Sequence, residues 1–244
     1  MKAIEEKFLK ASESGLVKEE FCKYCQKKKN TIETPVRHIK GDRDSYYREV
    51  IAPSQICLDC YKKIKIDRVQ SKIKEIIPFK YHEIDSDRQD SLLKYFNESV
   101  YIHGPVGTGK TVFMSSLAKK YIIQGESVKW ISFPAFIMRL QSMYQKDASK
   151  QETPFDFAEE IAHTNGVLCV DDLGAEKLTD YVKQILYFII NEREQLVLKT
   201  IITSNFGLKE LDEQIDSRIS SRIAGMCKIL NLVGKDRRFL RENV

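Results

Sequence analysis

No run of this sequence approaches the roughly 18 consecutive apolar residues that crossing a bilayer requires, so no membrane-spanning helix and no membrane partner are expected. The opening segment, MKAIEEKFLKASES, mixes acids with bases and lacks the apolar stretch of a secretory signal. The expected location is therefore the cytoplasm. Neither an internal repeat nor a low-complexity tract is present, which removes a repeat array from consideration. Cysteine is scarce, with six in 244 residues, and the six fall into two classes. Cys169 and Cys227 each sit alone in an apolar run and read as small buried hydrophobes. Cys22, Cys25, Cys57 and Cys60 form two CxxC pairs, which in a cytosolic chain suggest a metal rather than disulfides.

What is present suits a globular protein. The length allows one well-buried α/β core plus a small extra module. Hydrophobic residues make up 42% and charged residues 31%, an ordinary balance. The net charge of +5 is not evenly spread: residues 1–70 hold 16 lysines and arginines against 11 acids, which accounts for the whole surplus. Such a segment either steers toward nucleic acid or an acidic partner, or is the solvated face of a small domain.

The pattern along the chain divides it in three. Residues 1–14 read as a short helix and residues 15–61 as a small metal-stapled unit. In YKKIKIDRVQSKIKEII, Ile66, Val69, Ile73 and Ile76 follow helical spacing with bases between them, which predicts a connecting helix ended by Pro78. The expected domains are 1–61, zinc-binding and partner-interacting; 62–77, a linker helix; and 78–244, an ATPase domain. Beyond residue 78, strands are expected at 99–103, 128–132, 167–170, 200–203 and 228–233. Helices are expected at 110–121, 134–145, 155–163, 178–193, 208–212 and 217–225. Strands alternating with helices predict a parallel sheet covered on both faces.

Residues 104–111 read GPVGTGKT, which fits GxxxxGK[ST] between a strand and a helix. Glycines let the backbone curl around phosphates without Cβ clashes. The loop N–H groups and the following helix N-terminus face the anion. The expected nucleotide-binding set is Gly104, Pro105, Val106, Gly107, Thr108, Gly109, Lys110, Thr111 and Val112. Lys110 is expected to reach the β- and γ-phosphates, and Thr111 to set its hydroxyl on Mg²⁺. Such a loop makes the chain an ATP-binding protein by expectation. The strand VLCV then ends in Asp171 and Asp172. Downstream of a phosphate loop, the first acid is expected to hold Mg²⁺ and the second to orient or activate the attacking water. Asn205 closes the next strand and is expected beside the γ-phosphate. Arg218 and Arg222 lie four apart on one helix face. They read either as a solvated surface pair or as an arginine finger for a neighbouring subunit's ATP. Lys235-Asp236-Arg237-Arg238 follows the last strand and offers an arginine to the γ-phosphate in cis.

Together, VDDLGAEKLTDYVKQILYFIINERE, TIITSNFGLKEL, DSRISSRI and GKDRRF resemble the AAA+ ATPases of the DnaC/DnaI helicase-loader and IstB transposition-helper group, over residues 77–238. The resemblance implies an AAA+ P-loop domain with a five-stranded parallel sheet of order 5-1-4-3-2 and no helical lid. It implies Asp171 and Asp172 as the Walker B acids, Asn205 as sensor 1, Arg222 before Arg218 as the finger, and Arg238 as sensor 2. Catalytic roles thus fall to Lys110, Asp171, Asp172, Asn205, Arg222 and Arg238. With the nucleotide left open, Mg²⁺-dependent hydrolysis is expected to be weak without partners. Implied partners are a DnaB-type hexameric replicative helicase, single-stranded DNA and further copies of the chain.

Cys22, Cys25, Cys57 and Cys60 would make a tetrahedral Zn²⁺ site, whose binding energy helps to fold a small unit. Strands or a hairpin must bring the two pairs together. The unit resembles the zinc-bearing N-terminal domain of DnaI-type loaders, which implies a helicase contact. DNA binding through Lys27, Lys28, Lys29, Arg37 and Arg43 competes with that reading. Phe133, Phe136 and Tyr144, with Lys146 and Lys150 nearby, are either a stacking surface for single-stranded DNA or core aromatics of an amphipathic helix. Three functions follow: a helicase loader, an IstB-like helper of a transposase, and an adaptor that binds ATP without hydrolysing it.

Overall fold

A computed structural model describes residues 17–21, 28–32, 58–83, 94–144, 153–174, 176, 178–234 and 236. The expected helix over 1–14 lies outside them. The chain divides into two units, Met1–Ser71 and Lys72–Val244, and the division falls inside the helix expected as the linker.

In the first unit, β1 (Val17–Phe21) and β2 (Lys28–Ile32) form an antiparallel hairpin, with Phe21 opposite Lys28 at its closed end. Helix α1 (Leu58–Ile76) begins four residues before the expected start, so Cys60 lies in its first turn. Pro78 follows its end as expected, because proline cannot continue a helix.

The second unit holds β3 (Val100–His103), α2 (Lys110–Gln124), β4 (Val128–Ser132), α3 (Phe133–Tyr144) and α4 (Pro154–Ala162). It continues with β5 (Val167–Leu173), α5 (Asp180–Gln195), β6 (Thr200–Ser204), α6 (Leu208–Gln214), α7 (Ser217–Met226) and β7 (Lys228–Asn231). The sheet order is β4-β5-β6-β3-β7 and all pairs are parallel. Numbered within this sheet, that order is the expected 5-1-4-3-2. Strands covered on both faces must be apolar throughout: Val100, Tyr101 and Ile102 of β3 are fully buried, as are Ile201 and Ile202 of β6.

Local chemistry sets the element ends. Thr179 and Thr153 cap α5 and α4, and Thr153 forms a reciprocal capping box with Asp156. Gly125, in the left-handed region at φ 88°, terminates α2. Strand β5 runs three residues past its expected end because it carries a bulge: its register against β6 shifts between Val170 and Leu173, and Asp172 takes φ 59°. A bulge re-aims side chains at a strand end, and here it falls on the acidic pair.

Phe133 and Phe136 are buried and stacked with ring centroids 5.8 Å apart, and Phe136 packs on Phe157. They are core aromatics and offer no face to a base. The side chain of Tyr144, and Lys146 and Lys150, lie outside the described residues.

Candidate functional site

The phosphate loop leaves the C-terminal end of β3, the sheet edge where α/β proteins bind their ligands. Gly109, at φ 98°, turns the chain into α2, whose N-terminus receives no side-chain cap. Its first N–H groups, with the positive end of the helix dipole, are thereby left to an anion. The loop is braced internally, as Thr108 Oγ1 donates to the Pro105 carbonyl at 2.9 Å. Lys110 Nζ donates to the Gly104 and Pro105 carbonyls at 2.8 and 2.9 Å, and to Asn205 Oδ1 at 2.8 Å. The ammonium therefore ties the loop to Asn205, just past the end of β6, the residue expected beside the γ-phosphate.

A second link joins the loop to β5. Thr111 Oγ1 donates to Asp171 Oδ1 at 3.0 Å, and Thr203 Oγ1 donates to the same oxygen at 2.6 Å. Thr203 Oγ1 also accepts the Asp172 N–H at 2.9 Å. One hydroxyl thus fixes both acids: it holds the Asp171 carboxylate and pins the bulge that leaves Asp172 exposed. Burial pushes the Asp171 carboxyl above its ordinary value, against the hydrogen bonds from Thr203 and Thr111. A buried carboxylate and a threonine hydroxyl at one point are hard oxygen donors of the kind Mg²⁺ takes. The donor set fits that ion.

The glycines have a second reason that sequence reasoning missed. A Cβ at Gly104 would stand 2.1 Å from the Leu232 carbonyl oxygen. One at Gly107, at φ 78°, would stand 1.9 Å from Asp236 Oδ1. Chain beyond β7 continues along the loop, beginning with the Leu232 N–H bond to the His103 carbonyl at 2.7 Å. The Asp236 carboxylate therefore lies against the phosphate loop itself.

The two candidate finger arginines share a tyrosine. Arg222 pairs with Glu194, donates to the Tyr187 hydroxyl at 2.9 Å, and has its guanidinium 5.1 Å from the Tyr187 ring centroid. Arg218 is bound by Asp216 at 2.9 Å and lies 5.0 Å from the same ring. Arg238 lies outside the described residues, as do Cys22, Cys25 and Cys57. Among the described residues no group of three or more His, Cys, Asp or Glu is arranged to hold a metal. Cys169 and Cys227 are buried as expected, and burial pushes the Cys227 thiol up to about 12.

Arg193 has no exposed surface. Its Nε donates to Thr200 Oγ1 at 2.9 Å, and its other nitrogens reach the carbonyls of Ala162 and Thr164 at 3.1 Å and of Lys199 at 2.8 Å. It staples the ends of α4 and α5 to the start of β6. A signal was there to read: Arg193 continues the apolar stripe of Val182, Leu186 and Ile189 on α5.

A parallel sheet of this order, with a phosphate loop, an acidic strand end and a polar strand end converging at its C-terminal edge, defines a P-loop nucleotide-binding protein. The chain belongs to the family of IstB-like ATP binding proteins, whose model matches residues 89–242. It is 26% identical over 164 residues to the replicative helicase loader DnaI of Bacillus subtilis (strain 168), a match covering 60% of this chain and 51% of that protein. The chain thus spans about half the length of that relative. It is 23% identical to the replicative helicase loader DnaC of Buchnera aphidicola, over 66% of this chain and 71% of that protein. In fold it is similar to a crystal structure of the DnaC helicase loader, at TM-score 0.53 and 21% identity, over 64% of this chain and all of that one.

Proposed function

We propose that this protein is a Mg²⁺-dependent ATPase that loads a replicative helicase. The observation that carries the catalytic part is the double tie of the phosphate loop to two strand ends: Lys110 to Asn205, and Thr111 to Asp171. Lys110 exchanges the loop carbonyls for the β- and γ-phosphates of ATP. Thr111 and Asp171 would hold Mg²⁺, which would supply positive charge to offset that developing on the phosphates. Asp172 and Asn205 orient the attacking water. Arg222 serves the site of a neighbouring copy, Arg238 serves its own, and assembly follows ATP binding.

The loader role is supported by relatives named as helicase loaders. Under this reading the partner is a DnaB-type hexameric helicase, gripped by the N-terminal unit and brought to single-stranded DNA. Zn²⁺ at Cys22, Cys25, Cys57 and Cys60 would staple that unit. That reading rests on the two CxxC pairs of the sequence. A second reading, assistance to a transposase on DNA, is favoured by the family's description as IstB-like.

ATP binding, ATP turnover and complex size test the proposal together. K110A is expected to weaken ATP binding by roughly 10- to 100-fold, the loss of a charge-assisted hydrogen bond to phosphate. Unaltered affinity would sink the nucleotide assignment. A stable complex with the helicase of the same source supports the loader reading. DNA-stimulated assembly on duplex, with no helicase complex, supports the second.

A further inference from the structure

Glu194 stands where a helix disfavours an acid. It lies in the last turn of α5, against the negative end of the helix dipole. Its place is nonetheless fixed, because the preceding residue, Arg193, is locked in the core. Three features turn it toward α7. Tyr187 and Glu194 are seven residues apart on α5, so they share one face. Arg222 lies opposite them and engages both, Nη1 with the carboxylate and Nη2 with the phenol oxygen. Gly225 clears the approach, since a Cβ there would stand 3.2 Å from Glu194 Oε1. The pair is not sealed, with side-chain exposures of 30% for Arg222 and 29% for Glu194. A partly solvated pair is weak enough to be exchanged. The tyrosine ring below it carries both arginines at almost equal distance, 5.0 and 5.1 Å.

We infer that Glu194 is the intramolecular counter-anion of Arg222, holding its guanidinium in reserve until the nucleotide phosphates of a second copy displace the carboxylate. The inference rests on the reading of Arg222 as a finger acting on a neighbouring copy. A carboxylate and a terminal phosphate compete for the same fork of N–H donors. A lone subunit therefore presents a neutralised finger, and assembly has to supply the stronger anion. Tyr187 is the positioning residue: its ring supports the guanidinium in either state, and its hydroxyl orients the Nη2 edge.

The test is ATP turnover per subunit across a series of protein concentrations, for the unaltered chain, E194Q, R222A and the double variant E194Q/R222A. ATP affinity is measured alongside as the check on folding. E194Q is expected to reach half-maximal turnover at about fivefold lower protein concentration, with unaltered ATP affinity and maximal turnover. R222A is expected to lower maximal turnover, and the double variant to match R222A. Y187F, which keeps the ring and loses the hydroxyl, is expected to shift the midpoint in the same direction as E194Q by less, and decides the matter if E194Q fails to bind ATP. A higher midpoint or a lower maximum in E194Q would show that Glu194 orients the finger, and would overturn the inference while leaving Arg222 in its role. Unchanged turnover in R222A would instead remove the finger reading itself.

Discussion

Asp171 pays in stability for its position. Its folded-state carboxyl titrates above the ordinary value of 3.8, so its ionised form is disfavoured in the fold relative to the unfolded chain. The stability it contributes is present below that value and is lost as pH rises through the raised one. At neutral pH it is a cost that a bound cation would offset. D171N is therefore expected to raise the unfolding midpoint of the nucleotide-free protein at pH 7 while abolishing ATP turnover. The gain should shrink as the pH is lowered toward 3.8, and thermal melts across pH measure it. Asp236 is a second charge at odds with the ligand. Its carboxylate stands against Gly107 in a loop that receives phosphates, and like charges repel.

Elements hold these residues through links between strands and helices. Arg193 joins α4, α5 and β6, and its loss would leave several buried carbonyls without donors. R193M is expected to cost about 3–5 kcal/mol in chemical denaturation. The same site shows what a sequence can and cannot yield. Strands β3, β5 and β6 were legible because each is a largely apolar, buried run. The phosphate loop and Asp171 were legible because their chemistry is contiguous in the chain. Thr203 was not, because its role depends on a bulge that only the β5–β6 register reveals. Nor was the Asp236 approach to Gly107, which is long-range. Phe133 and Phe136 could not be assigned from periodicity, since a core aromatic and a stacking aromatic have the same spacing; burial decided them.

At the scale of the whole molecule, the ATP site is proposed to be finished by another copy and by the helicase. Within one subunit Arg222 is engaged by Glu194 and Tyr187, so turnover should depend on protein concentration. Removal of Arg222 should leave ATP binding intact. The most direct test of the loader account is to mix the purified protein with the replicative helicase of its source, with and without ATP, and to measure the mass of the complex and ATP turnover on single-stranded DNA. The account predicts a stable complex made through the N-terminal unit, with turnover altered by DNA and abolished by K110A. Absence of any helicase complex, together with ATP-dependent assembly on duplex DNA alone, would contradict it.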